Sequence, residues 1–248
     1  MPAPDLRRWS LWLLAVAFGC LVLFGTWPGI DLWVSGLFHD PEAGFWLTHS
    51  RPLSRLRHLI WDASLLTVAL SALAFGLCLW RGRMVFGLPA RIWGFVAALY
   101  ILGPGVLVNL VLKAHWGRVR PADVTEFGGA LPFTAVQQWT GQCVRNCSFV
   151  SGEGSAVVAL AISALVVLAY RSGRLWPGRK VAAGLAALVV IGAGMRVATG
   201  RHFLSDTAFA AIFVSAVALG LYALLLHPER LHHRAVLTGR KPQQGRSR

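Results

Sequence analysis

Separate stretches of the sequence carry residues that could bind a phosphate group and act on it. Lys113 lies seven residues before Arg120, and Arg196 is followed by His202 and Asp206. Lys and Arg side chains donate charge-assisted hydrogen bonds to phosphate oxygens. An imidazole whose tautomer is fixed by a carboxylate can act as a nucleophile. The pattern predicts a phosphate site in which His202 is the nucleophile and Asp206 orients its ring.

A third stretch that could contribute to the phosphate site is Ser151, Gly152 and Glu153. These residues precede an apolar run and have the form of a helix start. The Ser151 hydroxyl and the Gly152 N–H would add donors, because backbone N–H groups at helix N-termini bind anions. Each residue also has a structural interpretation: Glu153 suits a first helical turn, and Asp206 can cap a helix. Single Lys and Arg side chains can also reach lipid headgroups. An anion site is favoured only when the stretches are taken together.

The elements that position these residues are apolar. Hydrophobic residues make up 56% of the 248 residues and charged residues 14%, against about 45–50% and about 25% in soluble domains. A bilayer core requires about 20 apolar helical residues. Six runs qualify: Ser10 to Trp27, Ala63 to Trp80, Ile92 to Leu112, Gly154 to Tyr170, Val181 to Val197 and Thr207 to Leu226. We predict an all-α polytopic membrane protein with six transmembrane helices in a bundle.

The basic residues are distributed unequally across these spans. Fifteen of the 24 Lys and Arg residues, with two acidic residues, fall on the side of both chain ends; nine, with eight acidic residues, fall on the other. Lys and Arg concentrate in cytoplasmic loops. The net charge of +14 is therefore interpreted as a topology signal rather than as a nucleic-acid surface. We expect the inner (plasma) membrane, cytoplasmic termini, and an active site facing the periplasm or exterior.

Three parts of one integrated membrane domain are expected. Residues 1–91 would hold two spans and an outer segment, 28–61, with short interfacial helices. Residues 92–226 would form a four-span catalytic core, and residues 227–248 a basic cytoplasmic tail. The longest polar loop, 113–150, contains Cys143 and Cys147. An oxidising exterior would favour a disulfide between them, and two free thiols are the alternative.

The spacing of the charged residues resembles that of the type 2 phosphatidic acid phosphatase superfamily of membrane lipid phosphatases. Its K-x6-R-P element corresponds to Lys113 through Pro121, and its R-x5-H-x3-D element to Arg196 through Asp206. Its middle element, usually P-S-G-H, appears as Val150-Ser151-Gly152-Glu153. The resemblance covers residues 92 to 226, with the three elements in the family's order.

The resemblance implies that His202 forms a phosphohistidine with Asp206 orienting its ring. The residues implied to hold the phosphate are Lys113, Arg120, Ser151, Gly152 and Arg196. No metal or other cofactor is implied. The implied substrate is a membrane lipid phosphate: undecaprenyl pyrophosphate, phosphatidylglycerol phosphate, phosphatidate or lipid A phosphate. A phosphotransferase with the same intermediate and a non-enzymatic lipid-phosphate binder are the alternatives.

The sequence departs from the family pattern at Glu153, where the family has the His that protonates the leaving oxygen. If Glu153 is this general acid, it must hold a proton near neutral pH. Burial would favour the protonated form, and neighbouring arginines would oppose it. His115, two residues after Lys113, is the alternative acid.

Overall fold

The structure, a computed structural model, describes residues 5–174 and 178–227. Most of these residues are helical, and a two-stranded antiparallel hairpin joins β1 to β2. Its helices and strands are α1 (Leu6–Thr26), α2 (Gly29–Gly36), β1 (His39–Asp40), β2 (Gly44–Phe45), α3 (Arg51–Arg81), α4 (Ala90–His115), α5 (Gly152–Ser172), α6 (Arg179–Ala198) and α7 (Leu204–Leu226). Every helix except α2 is long and apolar enough to cross a membrane, so residues 5–174 and 178–227 contain six candidate spans. The predicted all-α polytopic fold is confirmed, while most of the expected tail, 227–248, lies outside the described residues.

Helix α3 corrects the expectation that residues 28–61 contain only short interfacial helices. It begins at Arg51, far before the predicted span start at Ala63, and has 31 residues. At 1.5 Å per residue its length is about 46 Å, more than the roughly 30 Å of a bilayer core. The polar residues that precede the apolar run are also helical, because Arg and Leu are good helix formers. The polar first turns of α3 therefore extend beyond the apolar segment.

Helix α4 is not a regular α-helix along its whole length. Residues Ile101–Leu112 form a π-helical stretch that contains Pro104. Proline has no N–H and its ring clashes with the preceding turn, so it disrupts regular α-helical bonding. The Asn109 side chain donates to the Pro104 carbonyl at 2.6 Å. This irregular stretch leads directly to Lys113, near the end of the helix.

The bundle is built around α5. This helix packs against α3, α6 and α7, α3 also packs against α4, and α1 packs against α7. Apolar side chains from these helices form the buried core, which includes Phe95, Leu99, Val157 and Val214. Helix α1 leaves Leu14 and Phe18 about two thirds exposed, at 66% and 68%. Such an apolar outer surface is what a lipid environment accommodates.

Candidate active site

A polar cavity of about 360 Å³ lies at the end of the bundle where α4 and α6 end and α5 and α7 begin. Five of its lining side chains are Lys or Arg and one is a carboxylate. The lining residues are Arg57, Trp61, Asn109, Lys113, Arg120, Asn146, Gly152, Glu153, Arg196, Arg201 and His202. The excess of positive charge suits a multivalent anion such as phosphate.

His202 lies in the turn between α6 and α7 and is 2% exposed. Its Nδ1 atom is 2.8 Å from the carbonyl oxygen of Ser148. A carbonyl can only accept, so Nδ1 carries the proton and the lone pair is on Nε2. Burial lowers the pKa of His202 to about 4, and the imidazole is therefore neutral at physiological pH. This is the protonation state that a nucleophilic His requires.

The backbone of this turn is held by α6 and by a glycine. The N–H groups of Arg201 and His202 both donate to the carbonyl oxygen of Arg196, at 3.0 and 3.2 Å. Gly200 has a φ of +64°, a conformation that favours glycine. The turn packs so closely on the Phe45 ring that a β-carbon on Gly200 would overlap it.

Asp206 lies behind His202 without a direct hydrogen bond to the ring. The distance from His202 Nδ1 to Asp206 Oδ2 is 3.8 Å, which is too long for a hydrogen bond. The carboxylate accepts from the Ser148 hydroxyl at 2.5 Å and from the Phe203 N–H at 2.8 Å. Asp206 thus contacts the same residue, Ser148, whose carbonyl binds the imidazole. Its influence on the ring passes through the backbone and through charge.

A buried ion-pair network supports Asp206 and includes two residues that the sequence analysis did not assign to the site. Arg118 is fully buried and donates to Asp206 at 2.6 Å and to Asp31 at 2.8 Å. Asp31, on α2, also accepts from the N–H and the hydroxyl of Ser205. The position of Arg118, two residues before Arg120, was visible in the sequence. The partnership with Asp31 was not, because 87 residues separate the two.

The predicted phosphate-binding cations are brought together at the cavity. Lys113 is 7% and Arg196 9% exposed, although they lie on different helices. Within the described residues Lys113 makes no ion pair, and the Nε of Arg196 has no hydrogen-bond partner. Arg120 donates to the carbonyl of Asn146 at 2.8 Å, and Arg201 also lines the cavity. A buried donor without a partner, such as the Nε of Arg196, is costly, so an anionic ligand would complete this site.

The helix start at α5 is confirmed in form, but its residues are used differently from the expectation. Ser151 is the N-cap of α5, and its hydroxyl oxygen accepts from the Gly154 N–H at 3.1 Å. The residue is fully buried and does not line the cavity. Gly152 does line it, where a β-carbon would lie 3.1 Å from the Asn109 side chain. Ser151 thus shapes the helix end that presents Gly152.

Glu153 lines the cavity in an ion-paired state. Its two carboxylate oxygens accept from the Nε and Nη2 atoms of Arg57 at 2.8 and 2.9 Å. A nitrogen of Arg196 lies 3.5 Å from the same carboxylate. Such pairing favours the ionised, accepting form, whereas a general acid must donate. His115 is exposed, its Nδ1 lies 2.7 Å from the Val111 carbonyl, and it does not line the cavity.

Two further expectations concern cysteines and metals. Cys143 and Cys147 are joined by a disulfide, which resolves the alternatives left open by the sequence. Across residues 5–174 and 178–227, no group of three or more His, Cys, Asp or Glu side chains could hold a metal ion. The positive charge at the cavity comes from Lys and Arg side chains.

Comparison with known protein families identifies the family of this chain. Residues 93–230 match the PAP2 superfamily. The chain belongs to the PAP2 superfamily. The matched region contains Lys113, Glu153 and His202, while Asp31 and Arg57 precede it. This PAP2 protein therefore completes its site with residues from outside the family region.

Three similar proteins carry the name "Lipid A 4'-phosphatase". The one from Rhizobium leguminosarum is 32% identical over 229 residues, which cover 87% of this chain and 93% of that protein. The one from Rhizobium etli is 31% identical and covers 87% of this chain and 84% of its own length. The one from Francisella tularensis subsp. novicida is 32% identical and covers 86% and 93%. No solved structure matches the chain.

Proposed function

We propose that this PAP2 protein is a metal-independent membrane phosphatase. It hydrolyses a phosphomonoester of lipid A through a phosphohistidine at His202. The observation that carries the proposal is the buried imidazole of His202, with its Nδ1 on a backbone carbonyl, beside a cavity lined by five cationic side chains. A neutral nucleophile and fixed positive charge both favour phosphoryl transfer through a phosphohistidine.

The reaction follows from the positions of these groups. The Nε2 lone pair of His202 forms a bond to phosphorus while the bond from phosphorus to the lipid oxygen breaks. The electron pair of the broken bond goes to that oxygen, which takes a proton from water and leaves as an alcohol. The hydroxide formed attacks the phosphohistidine, the electron pair of the P–N bond returns to Nε2, and inorganic phosphate is released. Lys113, Arg120 and Arg196 would bind the phosphoryl oxygens as negative charge spreads over them.

The substrate class is inferred from the relatives. Three proteins named lipid A 4'-phosphatases align along 86–87% of this chain, so their similarity is not confined to the catalytic motifs. Among the lipid phosphates considered from the sequence, lipid A phosphate is the one this similarity favours. The other three lipids serve as comparison substrates.

We also infer that the site faces the periplasm or exterior from the inner membrane, with both termini in the cytoplasm. Two features support this orientation. The excess of Lys and Arg is on the side of the chain ends. The disulfide between Cys143 and Cys147 is in the loop on the opposite side, and disulfides persist in oxidising compartments.

The test is phosphate release by the protein purified in detergent from lipid A, undecaprenyl pyrophosphate, phosphatidylglycerol phosphate and phosphatidate. We expect release of the 4'-phosphate from lipid A, retained activity in EDTA, and loss of turnover in His202→Ala. Loss of activity in EDTA that magnesium restores would contradict metal independence. Transfer of the phosphate to a second lipid would identify a phosphotransferase. Binding of lipid A without phosphate release would identify a non-enzymatic binder.

A further inference from the structure

We propose that Arg57 is a catalytic residue that donates hydrogen bonds to the leaving oxygen, and that Glu153 is a positioning residue that holds Arg57 in place. The inference rests on the proposed function, since it assumes that a lipid phosphate is hydrolysed. It gives Glu153 a role different from the general acid expected from the sequence. It also assigns chemistry to α3, which lies outside the matched family region.

The contact between Arg57 and Glu153 is bidentate. The Nε and Nη2 atoms of Arg57 lie 2.8 and 2.9 Å from the two carboxylate oxygens. Two parallel bonds fix the plane of a guanidinium more firmly than a single charge contact does. Nη1 of Arg57 makes no hydrogen bond to any described residue and is left to bind substrate.

The ion pair also decides what Glu153 can do. A carboxylate that accepts two hydrogen bonds from Arg57 and lies 3.5 Å from Arg196 is stabilised in its charged form. In that form it has no proton to donate. Its side chain is 22% exposed, and that of Arg57 is 39% exposed. Both the guanidinium of Arg57 and the carboxylate of Glu153 are therefore accessible from the cavity.

Arg57 lies between two cavities, and this location favours contact with the leaving oxygen. It lines the phosphate cavity and also a smaller polar cavity of about 90 Å³. Arg196 and Arg201 line both cavities as well, but of the three only Arg57 is held by a bidentate contact with Glu153. The leaving oxygen is the atom that joins the phosphate to the rest of the substrate. A cation at the boundary between a phosphate cavity and a second polar cavity is positioned for that atom.

In the proposed role, Arg57 stabilises the negative charge that the leaving oxygen gains when its bond to phosphorus breaks. As the P–O bond breaks and the P–N bond to His202 forms, the leaving oxygen gains the electron pair. Arg57 stabilises the resulting alkoxide by hydrogen bonding without giving up a proton, because a guanidinium remains charged. The alkoxide then takes a proton from water, and the hydroxide formed attacks the phosphohistidine. The sum is one lipid phosphate and one water converted into one alcohol and one phosphate.

The experiment compares two leaving groups in the purified full-length protein. Lipid A has a sugar alkoxide as its leaving group, and 4-nitrophenyl phosphate has a phenolate that needs little stabilisation. Arg57→Gln should lower the lipid A rate about 100-fold, the scale for removal of one such donor, and the aryl phosphate rate less than about tenfold. Arg57→Lys should recover part of the lipid A rate. Retained aryl phosphate turnover shows that the variant is folded.

Arg55→Gln is the matched control. Arg55 is on the same helix, is exposed, and makes no ion pair with any described residue. Its variant should keep both rates within about twofold of the unmodified protein, as expected for surface substitutions. Equal losses of both substrates in Arg57→Gln would overturn the leaving-group assignment, because they would indicate binding of the other phosphate oxygens.

A double variant separates positioning from acid catalysis. If Glu153 acts through Arg57, the variant Arg57→Gln with Glu153→Gln should be no more than about threefold slower than Arg57→Gln alone. If Glu153 is the acid, Arg57→Gln would free its carboxyl to hold a proton, and Glu153→Gln would cause a further large loss. That second result would overturn the proposal.

Failure of this inference is distinct from failure of the proposed function. If the unmodified protein releases no phosphate from any lipid, the proposed function is wrong. If it releases phosphate and Arg57→Gln behaves like Arg55→Gln, only the role of Arg57 is wrong.

Discussion

Burial affects the protonation state of His202 more than its carboxylate neighbour does. The ring is held by the Ser148 carbonyl at 2.8 Å, and Asp206 stays at 3.8 Å. Removal of the charged form from water lowers the pKa of the imidazole to about 4. The charges of Lys113 and Arg196 act in the same direction, and that of Asp206 opposes them. The proposed nucleophile is thus neutral without having to lose a proton first.

This state of His202 predicts how activity falls in acid. Since its pKa is lowered, the neutral nucleophile persists well below the usual His value of about 6.5. The acid limb of kcat/KM should then follow the second ionisation of the substrate phosphate. The measurement is the pH profile for two aryl phosphates with different phosphate pKa values. A limb that moves with the substrate is expected, and one fixed near about 6.5 for both would contradict the account.

The buried network beneath the site makes a second prediction. Asp31→Asn keeps the shape of the side chain but removes a charge that Arg118 contacts at 2.8 Å. Loss of one partner of a buried ion pair costs about 3 kcal/mol, so the thermal midpoint in detergent should fall clearly. Asp62→Asn is the control, because Asp62 is exposed on α3. Equal midpoints for the two variants would show that the network does not stabilise the fold.

Among the elements, the helix ends do most to build the site. Lys113 is at the end of α4, Gly152 at the start of α5, and Arg196 at the end of α6. Hydropathy and motif spacing were enough to predict these positions, because each motif adjoins a long apolar run. The bond from His202 to Ser148 could not be predicted, since 54 residues separate the two and a backbone carbonyl has no sequence signature.

Helix α3 shows a different limit of sequence reasoning. Its polar first turns carry Arg57, and an apolar-run criterion placed the start of the span at Ala63 rather than at Arg51. Hydropathy reports which residues suit lipid and not where a helix ends. The ion pair with Glu153 depends on this extension, because it connects residues 96 positions apart. The departure at Glu153 was visible in the sequence, but the partner that explains it was not.

The turn before α7 gives a prediction at this scale. Gly200→Ala would overlap the Phe45 ring and would also strain a φ of +64°. Gly173→Ala is a matched control, since Gly173 has a φ of +66° with nothing within 4 Å of an added β-carbon. The thermal midpoint and the phosphatase activity should fall much further for Gly200→Ala. Equal effects would show that Phe45 does not hold the turn.

At the scale of the whole molecule, residues of α2 and α3, which precede the family region, contribute to the site. Asp31 binds Arg118, and Arg57 binds Glu153, so residues 1–91 and 92–226 remain proposed as parts of one domain. Integration of this kind is consistent with the relatives, which align along most of the chain rather than along residues 93–230 alone.

The orientation of the whole molecule can be tested with reporter fusions. Trp139 is in the loop after α4 and is 67% exposed, and Arg248 ends the chain. A reporter active only outside the cytoplasm should be active when inserted beside Trp139 and inactive after Arg248, because the basic excess is on the side of the chain ends. The reverse pattern would move the site to the cytoplasmic face.

The covalent intermediate tests the central claim most directly. The purified protein would be mixed with lipid A carrying a radiolabelled 4'-phosphate and quenched in alkali, in which a phosphohistidine survives. The account predicts label on the protein that is lost in acid, maps to the peptide containing His202, and is absent in His202→Ala. Release of the phosphate without labelled protein, together with full activity of His202→Ala, would contradict it.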